Sequence, residues 1–311
     1  MSKWTEANIP QLTGKVALVT GANSGLGFST ARALAARGAH VILGCRHERK
    51  AEAAMAAIRA SVPEAKLEFL PGDLSDQASV RSAAELVKSR HSRLDIQVNN
   101  AGVMTLPYTK TRDGFEMLFG TNYLGHFTLT GQLLELTRST PGSRIVTVTS
   151  LMERMGHLPL DDLNWEKSGY SKQGAYARSK LANLVFTLEL DRRLRKTGSS
   201  TLSLAAHPGF AATNIVYGGG GAENSLLRKL WHLVTGFANS LLAQPADRGA
   251  LPSLYAATLP GINGGAYIGP DALFGFRGYP THVKPSHRAQ DEALGRGLWE
   301  RSQELTGVHF L

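Results

Sequence analysis

The sequence predicts an α/β fold: one doubly wound parallel sheet with helices on both faces. Short apolar runs alternate with helix-period segments at βαβ spacing over residues 16–205, the pattern of a parallel sheet covered on both sides. A glycine-rich turn, Thr20-Gly21-Ala22-Asn23-Ser24-Gly25-Leu26-Gly27, joins the first apolar run to the first helical segment. Polar residues able to do chemistry cluster just after the strand ends, where open α/β sheets bind ligands.

Composition narrows the classes. The chain has 311 residues, 42% hydrophobic and 19% charged, which suits an ordinary globular protein and is read as a single domain over 1–311. The net charge of +9 is dispersed, whereas a nucleic-acid binder concentrates its cations with stacking aromatics. Small basic groups occur at Arg46/Arg49/Lys50 and Arg192/Arg193/Arg195/Lys196, the second at a helix end where cations suit the dipole. Cys45 is the single cysteine, which excludes a disulfide framework and a cysteine-based metal site. The first six residues lack the apolar core of a signal peptide, so a cytoplasmic setting is expected.

Taken in order, residues 16–19 read as the first strand and 28–36 as its helix. The turn between them presents free N–H groups and the positive end of the helix dipole, a site for an anionic phosphate. Its spacing, T-G-x-x-x-G-x-G, differs from G-x-G-x-x-G. Residues 39–43 form a second strand and 48–61 a helix. Between them Gly44-Cys45-Arg46-His47 holds no carboxylate for a ribose 2′-hydroxyl, while Arg46 suits a 2′-phosphate. NADP(H) is therefore preferred over NAD(H); the competing reading makes Arg46 a solvated loop residue. The third strand, 66–70, ends at Asp73-Leu74, where a carboxylate accepts the adenine amino group or caps the helix over 76–89. The fourth, 94–99, runs into Asn99-Asn100-Ala101-Gly102, where Asn satisfies turn backbone and holds the ligand edge. One or two helices over 113–137, a strand over 143–148, a long helix over 176–196 and a strand over 201–205 follow.

The sharpest chemical signal is Tyr176-Ala177-Arg178-Ser179-Lys180. An i, i+4 pair shares one helix face, so the ammonium is expected beside the phenol and to lower its pKa from about 10. The product is a general acid–base for an alcohol/carbonyl pair. Alone, Y-x-x-x-K is common, and a packed ring with a snorkelling lysine is its bland reading. Ser150 ends the fifth strand, placed to donate to a substrate oxygen or to cap a turn. Asn122 sits inside a helical pattern that disfavours Asn; it either bends the helix and binds a water or is an exposed mid-helix residue.

The turn, N-N-A-G, the serine after strand five, Y-x-x-x-K and His207-Pro208-Gly209 occur in one order over residues 10–215. Together they resemble the short-chain dehydrogenase/reductase family, a Rossmann-type fold that transfers hydride between NAD(P)(H) and an alcohol/carbonyl pair. The resemblance implies a catalytic tetrad of Asn122, Ser150, Tyr176 and Lys180. Tyr176 would be the acid–base, Ser150 the carbonyl polariser, Lys180 the group on the ribose, and Asn122 the holder of a relay water. It implies cofactor contacts from Gly21, Asn23, Ser24, Gly25, Leu26, Gly27, Arg46, Asp73, Leu74, Asn100, Ala101, Gly102, Tyr176, Lys180, Pro208, Gly209 and Thr213. Cys45-Arg46, Tyr123-Leu124-Gly125-His126-Phe127 and Ser179-Lys180-Leu181-Ala182-Asn183 resemble the branch holding retinol dehydrogenases and protochlorophyllide reductases. Thr149-Ser150-Leu151-Met152 departs from the retinol enzymes' Ser-Ser with a nearby His, which argues against a retinoid substrate.

The variable part is 214–245. A four-glycine run over 218–221 precedes Leu226, Leu230, Trp231, Val234 and Phe237 at helical spacing, read as a substrate lid favouring a small lipophilic carbonyl or alcohol. A subunit interface and a helix on the membrane surface are its rivals; a transmembrane span is not expected, because 230–246 is short and polar. Residues 246–311 complete the domain with an edge strand at 266–268 and an amphipathic helix over 291–306. His282, His287 and His309 lack metal-ligand spacing, so they are read as surface residues and no metal is expected. Family analogy makes helices near Asn122 and Tyr176 a homodimer face. The rival function is a nucleotide-sensing or scaffolding Rossmann protein with little or no turnover.

Overall fold

The computed structural model describes residues 3–210 and 244–311. Eight strands form one sheet in the order β3-β2-β1-β4-β5-β6-β7-β8. β1 (Val16–Thr20), β2 (His40–Cys45), β3 (Lys66–Pro71), β4 (Ile96–Asn99), β5 (Arg144–Val148), β6 (Leu202–Ala206) and β7 (Tyr267–Ala272) run parallel. Every residue of β1 and β4 is buried, because helices cover both faces; β1 accordingly reads as an apolar run, while the alternating polar residues of β4, Gln97 and Asn99, are buried and hydrogen-bonded.

The connections are α1 (Gly25–Ala36), α2 (Glu48–Ser61), α3 (Gln77–Arg90), the short α4 (Met117–Phe119), α5 (Gly125–Arg138) and α6 (Lys172–Lys196). Asp76 caps α3, accepting from the N–H groups of Ala78 (3.0 Å) and Ser79 (3.1 Å). That frees Asp73 from the capping role open in the sequence. Between α4 and α5 lies a π turn, Gly120–Leu124, in which Gly125 N–H donates to Gly120 O. Asn122 sits in this turn and is fully buried, so the helix is distorted around it and the exposed reading falls.

The carboxy-terminal part departs from expectation in one element. β8 (Arg277–His282) pairs antiparallel with β7 and forms the sheet edge. Its Gly278 and Pro280 hid it in the sequence, yet an edge strand tolerates Pro, which cannot donate to a ladder. α7 (Ala246–Thr258) packs on α1, and α8 (Glu292–Thr306) on α6. Asp291 caps α8 and Gly307 closes it at φ 65°. Trp299 of α8 lies 5.4 Å from Phe127 of α5 and 5.9 Å from Phe186 of α6, ring centre to ring centre. Phe310 completes the cluster, 4.6 Å from Trp299. Trp299 and Phe310 thus pack on parts of α5 and α6, the helices expected to make a dimer face. His282, His287 and His309 are exposed. Residues 211–243, which hold Thr213 and all but the end of the expected lid, lie outside the described residues.

Candidate active site

Glycine geometry builds the floor of the site. Gly21 adopts φ +66°, and a Cβ there would stand 3.0 Å from Ala101 Cα. Gly27 is tighter still, since a Cβ would lie 2.3 Å from Gly21 O and 2.5 Å from Asn100 Nδ2. Only glycine gives α1 this approach to the turn that precedes it. Asn100 clamps the two strand ends: its Nδ2 donates to Thr20 O at 2.8 Å and its N–H to Thr20 Oγ1 at 2.9 Å. The structural and ligand-edge roles read for this Asn coexist in one position.

A cleft of about 410 Å³ runs along these carboxyl ends. It is lined by Gly21, Asn23, Ser24, Gly25, Leu26 and Gly27, then Arg46, Asp73 and Leu74, then Asn100, Ala101, Gly102, Tyr176, Lys180 and Pro208. At one end Arg46 Nη1 stands 3.6 Å from Asp73 Oδ2, with the Arg46 side chain 60% exposed and free to turn toward a ligand. His47 and Lys50 line the same end. Sequence reasoning passed over Lys50, although it lies one turn along the helix that begins beside Arg46. Met104, Leu106 and Thr121 add to the lining; they come from a loop and a helix start with no periodicity to flag them.

The chemical groups meet at the other end. Ser150 caps the short turn Leu151–Met155, its Oγ accepting from Met152 N–H at 3.3 Å, so the capping and chemical readings share one side chain. That side chain also faces Tyr176 and favours ionisation of its phenol. Burial pushes the Tyr176 phenol up to about 12, and Ser150 only partly opposes it. The Lys180 ammonium, lowered by burial to about 8, donates to Val148 O at 3.1 Å and lies 5.6 Å from the Tyr176 ring centre. The expectation that Lys180 depresses the Tyr176 pKa is therefore corrected. In the free chain desolvation is the main influence on the phenol, opposed by Ser150, and Lys180 points its ammonium at a strand-end carbonyl.

Among the described residues, three expected ones do not line the cleft: Asn122, Gly209 and Ser150, the last standing at its margin beside Thr149. Asn122 stands behind Gly102, where a Cβ on that glycine would be 3.3 Å from Asn122 Oδ1 and 3.6 Å from Lys180 Nζ. Its side chain is saturated by protein: Val103 N–H donates to Oδ1 at 2.8 Å, and Nδ2 donates to Val103 O (2.9 Å) and Ser179 Oγ (3.0 Å). A relay water is left only the peptide carbonyl. Gly209, at φ +68°, packs its backbone on Phe276, where a Cβ would meet Phe276 O at 2.4 Å; it shapes the sheet edge beside the cleft. Thr213 lies outside the described residues. Remote from the cleft, toward the amino ends of β2 and β3, His40, Glu68 and His91 come together. Arg90 already holds Glu68 Oε1 at 2.8 Å and His91 its Oε2 at 2.8 Å, so this trio is an ion-pair cluster.

This arrangement defines the class: an α/β oxidoreductase whose cleft follows the ligand edge of a Rossmann-type sheet. The family model described as short chain dehydrogenase matches residues 15–218. Human retinol dehydrogenase 12 is 40% identical over 302 residues, covering 96% of this chain and 89% of that protein. A crystal structure of an uncharacterised protein from Mycobacterium paratuberculosis is 40% identical and superposes at a TM-score of 0.82, covering 100% of both chains. A short chain dehydrogenase from Burkholderia cenocepacia in complex with NADP is 25% identical, with a TM-score of 0.62 over 83% of this chain and 96% of that one. The chain belongs to the short-chain dehydrogenase/reductase family, in its retinol dehydrogenase-like branch. A nicotinamide cofactor comes with that membership, and the glycine cradle fits its pyrophosphate.

Proposed function

We propose that the chain is an NADP(H)-dependent oxidoreductase, interconverting an alcohol and a ketone or aldehyde on a lipophilic small molecule. The observation that carries this reading is Tyr176, facing the same cleft as Lys180 and the glycine turn, with Ser150 beside its phenol. The bound nicotinamide supplies or accepts the hydride. In reduction, Tyr176 gives its hydroxyl proton to the substrate oxygen while Ser150 donates a hydrogen bond to that oxygen as charge develops. Lys180 then lies within the cleft to hold the ribose. In oxidation each step reverses, and Tyr176 must first lose its proton. We read the protein as one cytoplasmic domain; among the described residues no helix is long and apolar enough to cross a membrane.

Arg46, with His47 and Lys50 beside it, supports NADP(H) over NAD(H), because a guanidinium pairs with a 2′-phosphate in a charge-assisted bond. Arg46→Ala is expected to raise the KM for NADPH roughly tenfold and leave that for NADH nearly unchanged, since partly exposed ion pairs are modest. Equal effects on both cofactors, or none, would remove the argument. The whole reading is tested by following NADPH absorbance against lipophilic aldehydes, ketones and quinones. Retinal belongs in that panel because of the 40% identical retinol dehydrogenase, against the sequence-based expectation. Tight NADPH binding with no turnover anywhere would favour the nucleotide-sensing reading.

The phenol's elevation fixes a pH prediction. With Tyr176 near 12, the phenol stays protonated across neutral pH. Reduction, which needs the acid, is expected to be flat from about pH 6 until Lys180, near 8, loses its charge, while oxidation, which needs phenolate, climbs about tenfold per pH unit over the same range. An oxidation profile that levels off near neutrality would show that the bound cofactor, not the free chain, sets the phenol's pKa.

A further inference from the structure

His126 is buried at 1% exposure in the first turn of α5 and takes no place in the cleft lining. Its Nδ1 lies 2.9 Å from Asn122 O and its Nε2 2.9 Å from Thr20 Oγ1. A peptide carbonyl can only accept, so Nδ1 carries the proton. Burial, with the Lys180 charge adding to it, lowers the ring's pKa to about 4 and keeps it neutral. Nε2 is therefore an acceptor, and the Thr20 hydroxyl donates to it in preference to Val98 O, which lies at 3.3 Å. The Thr20 oxygen in turn accepts from Asn100 N–H at 2.9 Å and Ala101 N–H at 3.0 Å. Every bond in the line points one way: from the N-N-A-G backbone through Thr20 and His126 to the carbonyl of Asn122. Such chains polarise one another and act as a unit.

We propose that His126 is a positioning residue. It locks the Asn122 carbonyl, the one polar group of that residue not saturated by its side-chain contacts, in register with the cofactor edge of β1 and β4. The π turn gives this lock its purpose, because the widened turn departs from the regular helical ladder just where Asn122 must be fixed. A phenylalanine would fill the same volume but orphan a carbonyl and redirect a hydroxyl, both buried. This inference rests on the proposed function, since it matters to turnover only if Asn122 and Lys180 serve Tyr176.

The test uses three replacements that part the two ends of the ring. His126→Asn puts an amide donor where Nδ1 stands and keeps the Asn122 bond. His126→Gln puts an acceptor near Nε2 and keeps the Thr20 bond. His126→Leu keeps neither. The expected pattern is a kcat roughly tenfold lower in Leu and Gln but nearly restored in Asn. NADPH affinity, measured by fluorescence without substrate, should weaken in Leu and Asn but hold in Gln. Nitrogen NMR of the wild-type chain should find His126 as the neutral Nδ1–H form, unchanged between about pH 5 and 9. Losses that follow thermal stability alone, the same in all three variants, would overturn the proposal, as would an Nε2–H tautomer. If the wild-type enzyme reduces nothing, the functional reading fails separately. The binding pattern and the tautomer still decide whether His126 ties Asn122 to the cofactor edge.

Discussion

Tyr176→Phe is expected to lower turnover about a thousandfold while changing the Kd for NADPH less than about threefold. The magnitude follows from what the substitution removes: the general acid that gives its proton to the substrate oxygen, a contribution of roughly 10²–10⁴ in rate. The ring is half-buried beside Lys180, so Phe keeps the packing and the stability cost is small. Ser150 still caps its turn through Met152. Single-turnover decay of NADPH absorbance, with affinity measured in parallel, separates chemistry from binding. A variant that retained turnover would mean the proton comes from elsewhere, and the proposed mechanism would fall. A variant that lost NADPH binding instead would make Tyr176 a cofactor ligand before an acid.

Gly27→Ala has the second large effect. A methyl group there would lie 2.3 Å from Gly21 O and 2.5 Å from Asn100 Nδ2. Neither neighbour can yield cheaply: one is backbone of the turn, and the other is fixed by its bond to Thr20 O at 2.8 Å. Helix α1 must back away from the turn. We expect overpacking to cost about 1–3 kcal/mol of stability and NADPH affinity to fall at least about tenfold as the N–H groups lose their aim. Gly169→Ala is the control, because nothing lies within 4 Å of a Cβ at Gly169 and neither quantity should move. Calorimetry of NADPH binding and a thermal melt check both, and unchanged affinity in Gly27→Ala would separate the turn from the cofactor.

Periodicity made most of the strands and helices legible, since the central parallel strands are buried on both faces and are largely apolar. β8 was illegible for the converse reason. As an edge strand it carries a glycine and a proline, which read as a turn. The floor and catalytic end of the cleft were legible because their residues sit at strand ends and on one helix face. Lys50 and His126 were not, since each is a common residue type whose meaning depends on its neighbours in space. Charge was the least legible quantity. Y-x-x-x-K suggested a lowered phenol, yet burial raises it, and Lys180 points its ammonium at a carbonyl at the end of β5.

By itself, then, the sequence determined the doubly wound sheet, the phosphate-binding turn and the residues gathered at its ligand edge, because local spacing sets which residues share a strand end or a helix face. Only the tertiary structure decided that Asn122 is locked behind Gly102 through His126 and Thr20. It alone decided that Trp299 and Phe310 pack on parts of α5 and α6, and that Tyr176 rests as a protonated acid. Each of these depends on desolvation and on contacts between residues far apart in the chain, such as Tyr123 and Ser302, 179 residues apart, and no local pattern carries either.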